Sequence, residues 1–262
     1  MIRWSIAVAI AVAAGGTASA AVVTKAVDYE SDGTKLKGFL AYDDASKEKR
    51  PGVLVFPEWW GLNDYAKIRA QQLAELGYVA FVADLYGGGK VIDTAHPEDA
   101  QKMAGALRMN QKTWRGRAAA ALKQLTSQPN VDASKVAAIG YCLGGSTALQ
   151  LAYSGANLKA VATFHAGLAS PTPEEAKAIK AKILVCNGAA DKFIPEKAIA
   201  DLKAAMKAAN KPLDFVAYEG AVHSFTVPGA DKVGNPGMKY DAKADGDSWN
   251  RMRKLFGETL GK

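Results

Sequence analysis

The chain has 262 residues, 49% of them hydrophobic, and carries 33 Lys and Arg against 26 Asp and Glu, a net charge of +7. These values suit one globular domain, since α/β domains of roughly 200 to 250 residues are routine, and they exclude a disordered or disulfide-built chain. Basic residues are scattered among acidic ones, so the basic stripe that tracks a nucleic acid is missing.

The N-terminus reads as a targeting segment. Arg3 gives a positive start, residues 4–14 are apolar, and Gly15-Gly16-Thr17 break the run ahead of Ala18-Ser19-Ala20, a small-x-small cleavage site. This is the layout of a secretory signal peptide over residues 1–20. It predicts cleavage after Ala20, export to a bacterial periplasm and a single mature domain over residues 21–262. No later stretch approaches the roughly 20 apolar residues of a membrane helix, so no stable membrane association is expected afterwards. A monomer is the favoured assembly.

Residues 23–29 and 36–42 predict an antiparallel pair turning at Ser31-Asp32-Gly33. The apolar run 52–56 predicts a buried strand. Helical spacing covers 65–76, and Gly77 can end it. Strand 78–83 follows, then helices 97–107 and 113–126. Further along come strand 136–140, helix 146–153, strand 158–164, helix 173–179, strand 183–186, helix 195–209, strand 213–218 and helix 248–260. The stretch 228–247, rich in Gly and Pro, predicts a long functional loop. Alternation of this kind implies βαβ units: an α/β fold with a mostly parallel sheet and helices on both faces.

The chemistry gathers around Gly140-Tyr141-Cys142-Leu143-Gly144, which follows a predicted strand and opens a helix. It has the form of a nucleophile elbow with Cys in place of Ser. The helix N-terminus favours a thiolate, and the Leu143 N–H lies where an oxyanion would form. Asp191 follows strand 183–186, and His223 follows strand 213–218. The order nucleophile, acid, base, each after a strand, is that of an α/β-hydrolase. His223 would move the thiol proton, and Asp191 would hold the imidazole tautomer.

Asp214 starts a strand and is out of reach of the strand ends, Asp84 belongs to an Asp-Leu-Tyr turn, and His165 follows a strand with no adjacent acid. Three histidines without paired spacing and two distant cysteines give no metal signature, and no cofactor is expected. A disulfide between Cys142 and Cys186 would have to cross the intervening strand. Two spacings of roughly 4.8 Å exceed the roughly 7 Å limit for bridged Cα atoms. Cys186 is expected in the core.

Four stretches resemble the dienelactone hydrolase family: Pro57-Glu58-Trp59-Trp60-Gly61-Leu62, Ala83-Asp84-Leu85-Tyr86, Gly140-Tyr141-Cys142-Leu143-Gly144-Gly145 and His223-Ser224-Phe225. The resemblance spans nearly the whole mature chain. It implies an α/β-hydrolase fold, a Cys142-His223-Asp191 triad and a small-molecule ester or lactone substrate. It also implies that Glu58 contacts the resting thiol and helps to activate it, and that the Trp59 N–H is the second oxyanion donor. A carboxyl beside two tryptophans should have a raised pKa.

The chain departs from the family where arginines grip the dienelactone carboxylate: Gly87-Gly88-Gly89-Lys90 and Thr226-Val227-Pro228 stand there. Lys90 offers only a point charge. Trp60, Tyr86 and Phe225, with Trp59, suggest an apolar or aromatic pocket instead. Two other readings suit the same residues: a non-catalytic periplasmic ligand-binding protein, and a thiol-redox protein cycling Cys142 with Cys186.

Overall fold

A hairpin opens the fold. In this computed structural model, which describes residues 22–45 and 47–261, β1 (Val22–Ser31) and β2 (Thr34–Asp43) pair antiparallel around Asp32 and Gly33, both at positive φ. The expected signal peptide lies outside the described residues. The chain continues through β3 (Arg50–Phe56), α1 (Asp64–Glu75), β4 (Val79–Val82), α2 (Pro97–Met109), α3 (Gln111–Thr126), β5 (Val131–Tyr141) and α4 (Leu143–Tyr153). It ends through β6 (Ala160–Phe164), α5 (Pro173–Ala178), β7 (Lys182–Gly188), α6 (Glu196–Ala208), β8 (Leu213–Tyr218), a 3-10 turn at Ala230–Val233 and α7 (Ala242–Leu260).

The eight strands form one sheet in the order β1-β2-β4-β3-β5-β6-β7-β8. The pairs from β4 to β8 are parallel, and β2 joins β4 antiparallel. Side chains alternate across it, as the pleat requires. Leu54, Phe56, Phe81 and Ala138 enter one core, with α2 and α3. Val53, Val55, Val82 and Ile139 enter the other, under α1 and α7. Burial on both faces is what lets these strands read as continuous apolar runs.

Caps explain where the helices differ from the sequence expectation. Asn110 accepts from the Thr113 N–H at 3.1 Å, so α3 restarts only one residue after α2 ends. Asp241 accepts from the Lys243 and Ala244 amides, both at 3.0 Å, so α7 begins at Ala242 rather than at 248. The predicted loop 228–247 is shorter for that reason. α4 likewise starts at Leu143, directly after Cys142, and not at 146. Because β3 and β5 to β8 run parallel, their carboxyl ends share one edge of the sheet, and there the site assembles.

Candidate active site

Cys142 is the single residue between β5 and α4, with φ +51° and ψ −115°. Such a backbone costs about 1–3 kcal/mol and persists only where the surroundings enforce it. Gly140 and Gly144 are part of that enforcement. A Cβ on Gly140 would lie 2.1 Å from the Gly144 oxygen, and one on Gly144 would lie 2.0 Å from the Phe56 oxygen. The Cys142 amide donates to the Phe164 oxygen at 3.0 Å, which ties the elbow to β6.

The acid and the base stand on neighbouring loops. His223 Nδ1 is 2.7 Å from Asp191 Oδ2, and Asp191 Oδ1 accepts from the Phe193 amide at 2.9 Å. Both side chains are buried. The loops touch backbone to backbone: a Cβ on Gly188 would come within 2.3 Å of the Ala221 oxygen. The His223 N–H donates to the Gly237 oxygen, and its own oxygen accepts from Lys239. Cys142 and His223 line the same pocket. Burial pulls the His223 pKa down, but the Cys142 charge, the Asp191 and Cys142 hydrogen bonds and the Asp191 charge outweigh it and lift the ring to about 10.

Two amides face no protein acceptor. Among the described residues, neither the Trp59 nor the Leu143 N–H donates to another group. Trp59 is held from behind. Its oxygen accepts from the Tyr86 hydroxyl at 2.9 Å, and its ring meets Trp60 edge-on at 5.1 Å. Tyr86 is fixed in turn by Asp84, whose carboxylate accepts from the amides of Lys37, Tyr86, Gly87 and Gly89 at 2.7–3.0 Å. Asp84 is thus fully engaged in its turn.

Glu58 is buried, and burial raises its pKa against the opposing pull of the His223 charge and a Ser224 hydrogen bond. Ser224 Oγ donates to Glu58 Oε1 at 3.0 Å. Glu58 Oε1 thus accepts from Ser224, and no hydrogen bond between Glu58 and the Cys142 thiol is found among the described residues. His165 lies beside the site, as its place after a strand allowed, and it does have a nearby acid. Its ring sits edge-on to His223 at 5.1 Å, and its Nδ1 is 3.9 Å from Glu58 Oε1.

A pocket of about 850 Å³ opens onto Cys142 and His223. Its apolar wall includes Trp59, Trp114, Leu168, Ile194 and Met238. Three residues expected there are not among its lining. Phe225 is fully buried, packed on His165 and Tyr218, because its place directly after Ser224 turns it inward. Trp60 backs Trp59, and Tyr86 spends its hydroxyl on the Trp59 oxygen. Lys90 is exposed and away from the lining; the one Lys or Arg that lines the pocket, among the described residues, is Arg108 at the end of α2. Phe193, half exposed, also lines it and meets His223 edge-on at 5.2 Å. No motif marked Arg108 or Phe193. Only their distance from Cys142 in space does so.

The second thiol is unlike the first. Cys186 is fully buried on β7, its thiol pushed up to about 12 by burial, and β6 runs between it and Cys142. Both cysteines are free. No group of three or more His, Cys, Asp or Glu that could hold a metal occurs among the described residues, and no described helix is long and apolar enough to cross a membrane.

Similarities to known proteins agree with this geometry. The structure of m3DLH is 43% identical, with a TM-score of 0.88 over 91% of this chain and 99% of that one. A dienelactone hydrolase-like promiscuous phosphotriesterase from metagenomic libraries is 41% identical, with a TM-score of 0.87 over 92% of this chain and 99% of that one. A Saccharolobus solfataricus protein, provisionally named carboxymethylenebutenolidase, is 29% identical over 88% of this chain and 97% of its own length. The profile of the dienelactone hydrolase family matches residues 36–260. This chain belongs to the dienelactone hydrolase family and is a hydrolase on the α/β-hydrolase fold.

Proposed function

We propose that the protein opens an ester or lactone bond with Cys142 as nucleophile. The observation that carries this is the sulfur at the strained elbow, paired with a His223 ring that Asp191 holds at 2.7 Å, beside two unengaged amides. The thiol proton rests on His223, whose pKa is lifted to about 10, and the Cys142 sulfur bonds to the carbonyl carbon as a thiolate. The carbonyl electron pair moves onto oxygen, where the Leu143 and Trp59 N–H groups receive it. The intermediate collapses, the C–O bond breaks, and His223 returns the proton to the leaving alkoxide. A water, deprotonated by His223, then cleaves the thioester, the acid leaves, and the Cys142 thiolate is restored beside the protonated ring. Asp191 accepts from the His223 Nδ1–H and holds the ring in orientation. Glu58, the adjustable carboxyl next to this pair, exchanges a proton with it as substrate enters.

The pocket favours an apolar acyl group, with Arg108 available to an anionic end. Turnover of p-nitrophenyl acetate and a panel of small lactones tests the reading. It fails if Cys142→Ala keeps full activity. A second substrate class deserves assay because a relative of 41% identity is described as a promiscuous phosphotriesterase. The same sulfur and amides suit attack at a phosphoryl centre. We further propose that residues 1–20 direct export and are removed after Ala20. The mass of the mature N-terminus from a periplasmic extract checks this.

A further inference from the structure

His165 is buried, sits at φ +41°, and leaves its Nδ1 without a hydrogen-bond partner. A buried unpaired ring nitrogen costs free energy, so its surroundings call for an account. On its other side runs a chain of hydrogen bonds. Arg69 Nε donates to the Tyr65 hydroxyl at 3.2 Å, Tyr65 meets Thr226 Oγ1 at 2.6 Å, and Thr226 meets His165 Nε2 at 2.9 Å.

One direction of this chain starts from Arg69, while the Tyr65–Thr226 and Thr226–His165 contacts by themselves fit either direction. A guanidinium has no acceptor, so Arg69 must donate. Tyr65 then accepts from Arg69, and its own hydrogen goes to Thr226, its shortest contact. Thr226, having accepted, gives its hydrogen to His165 Nε2. The ring is neutral, since burial, with the nearby His223 and Arg69 charges, holds its pKa well down. A neutral ring that accepts at Nε2 carries its proton at Nδ1. Glu58 Oε1 lies 3.9 Å from that nitrogen.

We propose that His165 is a positioning residue whose Nδ1–H, its tautomer set by the relay from Arg69, is the second donor to Glu58 when that carboxyl gives up its proton. Ser224 supplies the first, at 3.0 Å. The proposal rests on the assignment of Glu58 to thiol activation. The relay is anchored at its far end: Arg69 pairs with Asp245 of α7 and donates to the Thr226 oxygen at 3.0 Å. The charged or titratable groups around the pair are His223 on its loop, Tyr65 and Arg69 on α1, Tyr141 on β5 and Asp245 on α7. A donor to the carboxylate favours its charged form, so losing it raises the Glu58 pKa.

The test combines a pH profile with a spectrum. The acidic limb of kcat/KM should move up by about one pH unit in His165→Leu. His165→Asn should restore it, because the Asn amide places a donor near the Nδ1 position and Asn tolerates positive φ. Thr226→Val, which keeps the shape and removes the hydroxyl, should move the limb the same way by less. Histidine 15N shifts of the wild type should show a neutral buried ring protonated at Nδ1. That readout needs no turnover. A folded His165→Leu protein with an unmoved limb, an Asn variant no better than Leu, or an Nε2-protonated ring overturns the proposal. Glu58→Gln separates the layers. If it keeps the acidic limb, the Glu58 assignment fails and takes this inference with it. If it abolishes the limb while His165→Leu leaves it in place, only the inference on His165 fails.

Discussion

Cys142, just past the end of β5, and Cys186, on β7, belong to one sheet with β6 between them, and their environments are opposite. Cys142 lies at a strained elbow, at the head of a helix, beside an imidazole and an open pocket. Cys186 is enclosed, its thiol raised to about 12, with the Tyr218 hydroxyl 3.8 Å away as its polar contact. A thiol reacts as a thiolate, so the surroundings decide the role. The contrast also argues against a redox couple. Two free thiols separated by a strand do not meet without breaking the sheet.

The contrast breaks first in activity. Cys142→Ala should lower ester turnover by about 10⁴-fold or more, whereas Cys186→Ala should stay within a few-fold of wild type, as steady-state kinetics will show. Equal losses would erase the distinction. Asp191→Asn, which keeps the shape and loses the charge, should cost about 10⁴-fold in kcat. Phe225→Ala probes the core rather than the pocket. Truncating this fully buried ring should cost about 3–5 kcal/mol in denaturant unfolding. A stable variant with altered substrate preference would return Phe225 to the pocket.

Finer tests follow. Iodoacetamide should label Cys142 in the folded protein and Cys186 only after unfolding, as peptide mass spectrometry will report. His223 should leave a pH signature in stability. Its pKa is raised from 6.5 to about 10, so its contribution is complete below about pH 6.5 and is lost as pH climbs through about 10. Removing the sulfur charge in Cys142→Ala should move that loss to lower pH. Melting temperatures between pH 6 and 10 measure the shift.

Much of this was legible in the chain. The strand runs of β3, β4 and β7 stood out because both faces are buried, and Gly140-Tyr141-Cys142-Leu143-Gly144 announced its turn because glycines are forced there. Asp191 and His223 were found by their places after strands, a property of topology that sequence order preserves. Pocket walls are different. Arg108 and Phe193 belong to it through the packing of α2 and of the Asp191 loop, and neither carries a local signal. Phe225 misled because an aromatic residue directly after His223-Ser224 reads alike whether it faces solvent or core. The partner of His165 was invisible for a similar reason: Glu58 lies far from it along the chain and reaches it only in the folded sheet.

The Asp84 turn has a consequence for how this enzyme could change. Four backbone amides grip one carboxylate, that turn presents Tyr86, and Tyr86 clamps the peptide that offers the Trp59 amide. Half of the cleft is therefore an anvil, built into the sheet and intolerant of drift. The opposite half, from the tip of α2 to the loop bearing Phe193, presents side chains such as Arg108 and Phe193 to the cleft. New substrates would be admitted by recarving that half, while the bond-breaking geometry stays where it is.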